Sequence, residues 1–240
     1  MTRRDYLGPD SRRIQQMFAG IAPRYDFLNH FLSGSIDRRW RRLAAAKVRH
    51  LLGESPALCL DACCGTGDLA IALDRSMKTH VIAADFCHPM LVRAAQKAHG
   101  RIRVIEADAL EWPFPNASFD AVTIAFGLRN LQDRNAGLRE IRRILKPGGA
   151  VVILEFSKPV IPILSQVFEF YFRNVLPAVG SVISGDSSAY RYLHDSVQVF
   201  PDQHQLLEMM RNAGFSGAAY SNLSGGIAAL HWGFVKETIG

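Results

Sequence analysis

The stretch Leu58-Cys59-Leu60-Asp61-Ala62-Cys63-Cys64-Gly65-Thr66-Gly67-Asp68 carries the most chemistry in the chain. An apolar run meets small residues and two glycines, Gly65 and Gly67, and then opens a helical pattern. Glycines at such a turn let the backbone approach a ligand, and the first N–H groups of the helix face negative charge. Alone, Gly65-x-Gly67-x-x-Ala70 has two readings, because it also fits a dinucleotide-binding fingerprint. Three acids narrow the choice. Asp61, at the end of the first strand, suits a bound ammonium and would repel a pyrophosphate. Asp85 ends the second strand, where a carboxylate accepts from ribose hydroxyls of either cofactor. Asp108, in Glu106-Ala107-Asp108-Ala109, follows the third strand, where it can accept from an adenine amino group. Any one of these acids reads equally as a helix cap. Together, after three successive strands, they point to S-adenosylmethionine rather than to a nicotinamide dinucleotide.

The elements that must hold these groups alternate. Short apolar runs at Ala57–Asp61, His80–Ala84, Ile102–Glu106, Phe119–Ala125 and Ala150–Glu155 read as buried strands. Helical patterns fall near 67–77, 88–99 and 133–145. Alternation of this kind predicts a parallel sheet covered on both faces. Beyond Glu155 the order changes to a long helix near 160–178, a loop, a helix near 201–213 and strands near 215–222 and 226–236. Before Ala57, residues 10–22 and 36–52 read as amphipathic helices around a loop from Tyr25-Asp26 to Ser33-Gly34-Ser35. The predicted architecture is α/β and Rossmann-like. A seven-stranded, mostly parallel sheet ends in an antiparallel hairpin. Residues 1–52 form an N-terminal helical cap or lid, and 53–240 form the main domain with an insertion at about 158–200.

Composition bounds the class. The chain has 240 residues, 48% apolar and 21% charged, with a net charge of +6. That excludes a disordered tail, a collagen or a coiled-coil rod. The charge is uneven: residues 1–50 hold eleven Lys and Arg against four Asp, a surplus of seven. Nucleic acid, an anionic lipid surface, an anionic small molecule or plain solvent could face such a surplus. Cys59, Cys63, Cys64 and Cys87 lack disulfide spacing, and no cleavable apolar leader opens the chain, so a reducing cytoplasmic setting is expected. Cys63 and Cys64 read as packing thiols, and no metal site is expected, because no second cysteine or histidine pair has ligand spacing. The apolar stretch Val160–Gly185 is interrupted by Glu169, Arg173 and two prolines and does not read as a membrane span. It faces core, a lipid-like ligand, a membrane surface or a second subunit of a homodimer.

Two segments resemble the menaquinone and ubiquinone biosynthesis C-methyltransferases, a family of class I S-adenosylmethionine-dependent enzymes. The first is Phe18-x-x-Ile21-Ala22-x-x-Tyr25-Asp26-x-x-Asn29-x-x-x-Ser33-x-x-x-Asp37-Arg38-x-Trp40-Arg41. The second runs from Arg143-Ile144-Leu145-Lys146-Pro147-Gly148-Gly149 to Leu154-Glu155-Phe156-Ser157-Lys158-Pro159. Phe126-Gly127-Leu128-Arg129-Asn130 and Tyr190-x-Tyr192-Leu193-x-x-Ser196 also follow the family pattern. Two positions depart from it, and a third departs from methyltransferases at large. Many relatives carry His where this chain has Asp37, some have Ser at Ala125, and methyltransferases often have glycine at Cys63.

The resemblance implies cofactor contacts at Thr66, Asp85, Asp108, Ala109 and Ala125. It implies methylation of a ring carbon of a polyprenylated quinol, demethylmenaquinol in menaquinone biosynthesis. The alternatives are a ubiquinone precursor, 2-polyprenyl-6-methoxy-benzoquinol, or another small phenol or lipid. A neutral aromatic carbon is a poor nucleophile, so the adjacent phenol must lose its proton. Arg129 is the expected phenolate-stabilising cation, Asn130 a partner for a quinol oxygen, and Tyr25 a lid residue that bonds the cofactor or relays a proton. Tyr25 reads equally as a rim aromatic packing on Trp40. The basic N-terminus and the apolar stretch together suit peripheral contact with the inner face of the membrane. A nucleic-acid partner is not expected: no RNA-binding module is visible, and Ala125-Phe126-Gly127-Leu128 stands where amino-methylating enzymes carry an aromatic-proline tetrad. A non-catalytic assembly factor on the same fold is the remaining reading.

Overall fold

The computed structural model describes residues 11–77, 79–175 and 188–237. Five strands are parallel: β1 (Ala57–Ala62), β2 (Thr79–Asp85), β3 (Arg103–Glu106), β4 (Phe119–Ala125) and β5 (Leu145–Phe156). Two more, β6 (Ser216–Leu223) and β7 (Ala228–Phe234), are antiparallel. The order across the sheet is β3-β2-β1-β4-β5-β7-β6, so β7 lies between β5 and β6. The helices are α1 (Ser11–Ile21), α2 (Tyr25–Leu32), α3 (Ile36–Leu52), α4 (Asp68–Ser76), α5 (His88–Ala98), α6 (Arg134–Ile144), α7 (Pro162–Phe170), α8 (Ser188–Gln198) and α9 (Gln203–Asn212). The strands are nearly continuous apolar runs because both faces are covered, with Cys59, Leu60, Val122, Val151 and Ile153 fully buried. One layer of core joins α3 and α4 to the sheet through Trp40, Ala44, Val48, Leu69 and Leu73. The other joins α6 and α9 through Leu138, Ile141, Leu206 and Met210.

Strand order reverses between β1 and β4. In open α/β sheets, ligands bind at that point, outside the carboxyl ends of the strands. The loops there touch: a Cβ on Gly127 would sit 2.5 Å from Cys63 Cβ, so only glycine fits.

Three expectations are corrected. The segment Tyr25–Ser35 is mostly helix α2; its turn formers end the helix, with Gly34 and Ser35 both at positive φ. Its eight residues are too few to signal a helix alone and depend on tertiary contacts. The loop expected after 178 contains α8, whose Tyr and Val residues hide its helical period. Strand β5 starts at Leu145, not Ala150, because Lys146-Pro147-Gly148-Gly149 is absorbed as a register shift within the ladder to β4. The long helix predicted near 160–178 is α7, which passes at Tyr171–Val175 into a π-helical turn. Residues 176–185 of the apolar stretch, and the first ten residues with Arg3 and Arg4, lie outside the described residues.

Candidate active site

A cleft of about 970 Å³, counted to its open mouth, lies at the carboxyl ends of β1, β2 and β4. Asp61, Gly65, Thr66, Asp85, Asp108, Ala109, Ala125, Tyr25 and Asn130 all line it. Two residues expected in the site do not. Gly67 is the N-cap of α4, and its α-carbon faces Ala94 of α5. Arg129 is buried behind the wall.

The acids have separate environments. Asp61 is 1% exposed, and its Oδ1 accepts from the Thr123 hydroxyl at 2.8 Å. Its Oδ2 has no hydrogen-bond partner among the described residues. Burial pushes its carboxyl up to about 7, only partly offset by the Thr123 bond, the Ala70 backbone and the Arg41 charge. A buried carboxylate with an idle oxygen is strained until a cation or donor meets it. Asp85 Oδ2 accepts from the Gly65 amide (2.8 Å) and Oδ1 from the Cys87 amide (2.9 Å), which ties the glycine loop to β2. Burial raises its pKa as well. A carboxylate offers about four acceptor sites, so two remain for ligand hydroxyls. Asp108 Oδ1 accepts from the Leu110 amide, leaving its other oxygen at the cleft.

Gly65 and Gly67 both have positive φ, as the turn requires. Cys63 has φ +52°, a left-handed conformation that costs a non-glycine residue roughly 1–2 kcal/mol. A glycine at this position would carry no such strain. Burial, then the charge of Asp85, holds the Cys63 and Cys64 thiols well above their ordinary range, so both stay protonated.

The wall opposite the acids comes from the N-terminal helices and the loop after β4. Tyr25 packs edge-on against Phe18 at 6.0 Å, not on Trp40, and burial raises its pKa against the opposing charges of Arg41 and Arg129. The Trp40 indole instead packs on Phe126 and Phe156 and donates to Ser224 Oγ. Asn130 Oδ1 accepts from the Tyr192 hydroxyl at 2.8 Å, and its Nδ2 donates to Phe126 O at 3.3 Å. Arg129 pairs with buried Glu155 at 2.8 Å and donates to Phe126 O.

Sequence reasoning missed three residues here. Arg41 lines the cleft, 8% exposed, stacked 5.3 Å over the Phe126 ring and paired with Asp37. Asp26 accepts from the Thr66 hydroxyl. Lys97 bridges Asp26, Thr66 and Asp68. Arg41 and Asp26 stand inside the quoted motif and could have been assigned roles; Lys97 carries no local signal. His30, Asp37 and Asp68 also converge, but Asp37 is held by Arg41, Ser33 and His30, and Asp68 by Lys97. This is an ion network already satisfied by its own cations.

The ubiE/COQ5 methyltransferase family model matches residues 7–235. The chain belongs to that family. It is 49% identical over 221 residues to the demethylmenaquinone methyltransferase of Thermus thermophilus, covering 90% of this chain and 99% of that one. It is 41% identical over 230 residues to the ubiquinone/menaquinone biosynthesis C-methyltransferase UbiE of Idiomarina loihiensis, covering 92% and 90%. Among solved structures, a SAM-dependent methyltransferase from Aquifex aeolicus is similar in fold, with TM-score 0.57 and 17% identity over 80% of this chain and 89% of that one. The residues present fit S-adenosylmethionine: the idle oxygen of Asp61 suits its ammonium, Asp85 its ribose diol and Asp108 its adenine.

Proposed function

We propose that this protein methylates a ring carbon of a polyprenylated quinol, converting demethylmenaquinol to menaquinol. The observation that carries the reading is the convergence of the site's groups in one cleft. It joins the three strand-end acids to Tyr25, Arg41 and Asn130 in a chain of the ubiE/COQ5 family. S-adenosylmethionine, when bound, supplies an electrophilic methyl group. The protein's work is to hold the two reactants in line and to favour the ionised quinol. Asn130 orients a quinol oxygen, its amide set by Tyr192 on one side and Phe126 O on the other. Arg41 is the cation that faces the cleft, and it stabilises negative charge developing on the phenol oxygen. Arg129 acts at one remove: its bonds to Glu155 and Phe126 O fix the turn that presents Phe126 and Asn130. Tyr25, its pKa raised, stays protonated and donates to the same region.

The quinol tail needs an apolar path. Val160, Ile161, Ile163 and Phe170 are exposed on and before α7. No helix among the described residues is long and apolar enough to cross a membrane. We infer that this face meets the lipid surface holding the quinol, aided by the basic N-terminal helices. Co-sedimentation with anionic vesicles tests this. Self-association without lipid binding would instead assign the face to a homodimer.

The deciding experiment is transfer of labelled methyl from S-adenosylmethionine to demethylmenaquinol in detergent, with Asp85→Ala and Arg129→Ala alongside. Lipid-soluble label that vanishes in Asp85→Ala supports the reading. No label in the wild type, with the methyl donor still bound, would overturn the acceptor, and 2-polyprenyl-6-methoxy-benzoquinol is the acceptor to assay next.

A further inference from the structure

We propose that Lys97 is a positioning residue for S-adenosylmethionine, clamping the N-terminal helices onto the glycine loop. The inference rests on the cofactor reading of the cleft. Lys97 stands in the last turn of α5, outside the cleft wall. A lysine there normally faces solvent or the helix's own terminal carbonyls. Here its ammonium has three acceptors, on α2, on the glycine loop and on α4. They are Asp26 Oδ2 at 2.7 Å, Asp68 Oδ1 at 2.5 Å and Thr66 Oγ1 at 3.2 Å. An ammonium has three protons, and all three are used.

The acceptors are not equivalent. Thr66 is in the glycine loop and 2% exposed, and Asp68 opens α4 directly after that loop. Asp26 belongs to α2 and is the neighbour of Tyr25, whose ring approaches within 3.9 Å of the space beside Gly65. Asp26 therefore takes the Thr66 hydroxyl on one oxygen and Lys97 on the other. Side-chain exposures of 30%, 27% and 22% for Lys97, Asp26 and Asp68 place the cluster between surface and core, where ion pairs are screened less than in open water. His30 Nε2 lies 3.7 Å from the far oxygen of Asp68, and its Nδ1 is taken by Asp37. Without Lys97, the Asp26 and Asp68 carboxylates would confront each other with no cation bridging them. The helices that carry Tyr25 would then be pushed off the loop that holds the cofactor. Lys97 touches no ligand itself; it acts through Thr66, Asp26 and Tyr25.

The test is calorimetric binding of S-adenosylmethionine to the purified full chain with no methyl acceptor present. Lys97→Met should weaken binding by about tenfold or more, with full stoichiometry, and Lys97→Arg should recover most of that loss. Asp26→Asn, which removes one charge and leaves Lys97 paired with Asp68, should weaken binding in the same direction. It serves as the second reading where Lys97→Met fails to fold. A Lys97→Met protein with wild-type affinity, or one that loses only its active fraction at unchanged affinity, overturns the clamp; so does unchanged affinity in Asp26→Asn. A wild type that binds no S-adenosylmethionine at all counts instead against the cofactor reading.

Discussion

Asp61 makes the affinity for S-adenosylmethionine a function of pH. Its carboxyl is pushed up to about 7 in the free site because burial outweighs the Thr123 bond, the Ala70 backbone and the Arg41 charge. A ligand ammonium needs the ionised form. Below pH 7 the free protein must lose a proton to bind, so affinity falls by a factor of 1 + 10^(7 − pH). That is about elevenfold at pH 6 and about a hundredfold at pH 5, as long as the bound carboxylate stays ionised. Stability runs the other way. The folded pKa of about 7 lies above the ordinary 3.8, so the free protein keeps this contribution below pH 3.8 and loses it as pH rises through 7. Three pKa units correspond to at most about 4 kcal/mol. Asp61→Asn should therefore melt higher than wild type at pH 8 without ligand. It should bind S-adenosylmethionine at least about tenfold more weakly, because a charged hydrogen bond is lost, and show a shallower pH slope, since the raised carboxyl of Asp85 still titrates in the same cleft. Calorimetric titrations from pH 5.5 to 7.5, with melting curves at pH 8, read both effects. A flat wild-type affinity across that range, or an Asn variant with the same slope, would refute the reasoning.

Gly127→Ala should cost roughly 1–3 kcal/mol of stability, since the new Cβ would meet Cys63 Cβ at 2.5 Å. Cys63→Gly in the same chain should recover part of that cost, and denaturant midpoints for the four members of the cycle check the coupling. His231 is 1% exposed, its Nδ1 has no partner among the described residues, and burial lowers its pKa to about 4. Its contribution to stability is present above 6.5 and falls as pH drops toward 4. His231→Gln should thus gain on wild type by about 2 kcal/mol between pH 7.5 and 5, measured by urea unfolding. Tyr192→Phe removes the hydroxyl that orients Asn130 and should lower kcat/KM for the quinol by about fivefold while the affinity for S-adenosylmethionine holds. An equal loss of affinity for both reactants would place Tyr192 in general packing.

The centre of the sheet was legible in the sequence because β1, β4 and β5 are buried on both faces and read as apolar runs, whereas the edge strands β3 and β6 are not buried and were placed by their neighbours. Asp61, Asp85 and Asp108 followed from their places at strand ends, and all three line the cleft. Helices α2 and α8 were not legible: they are short and depend on contacts made elsewhere in the chain. Arg129 shows a different limit. Its position after β4 suggested a hand in the chemistry, but the partner that draws it behind the wall, Glu155, lies 26 residues on in the sequence. Lys97 is 71 residues from Asp26 and 31 from Thr66, and no spacing rule joins them. Long side chains that reach across elements are settled by tertiary structure alone.

The place of β7 has a consequence for synthesis. Because β7 lies between β5 and β6, the sheet is finished from the inside by residues 228–234. Until they leave the ribosome, β5 presents an open row of amides and carbonyls along its length, and β6 has nothing to pair with. An exposed, apolar β5 edge is a template for association with other nascent chains. A chain cut before Ala228 would lose a central stave rather than an outer one and keep that sticky edge for good. Loss or mispairing of residues 228–234 therefore opens the middle of the sheet rather than its rim.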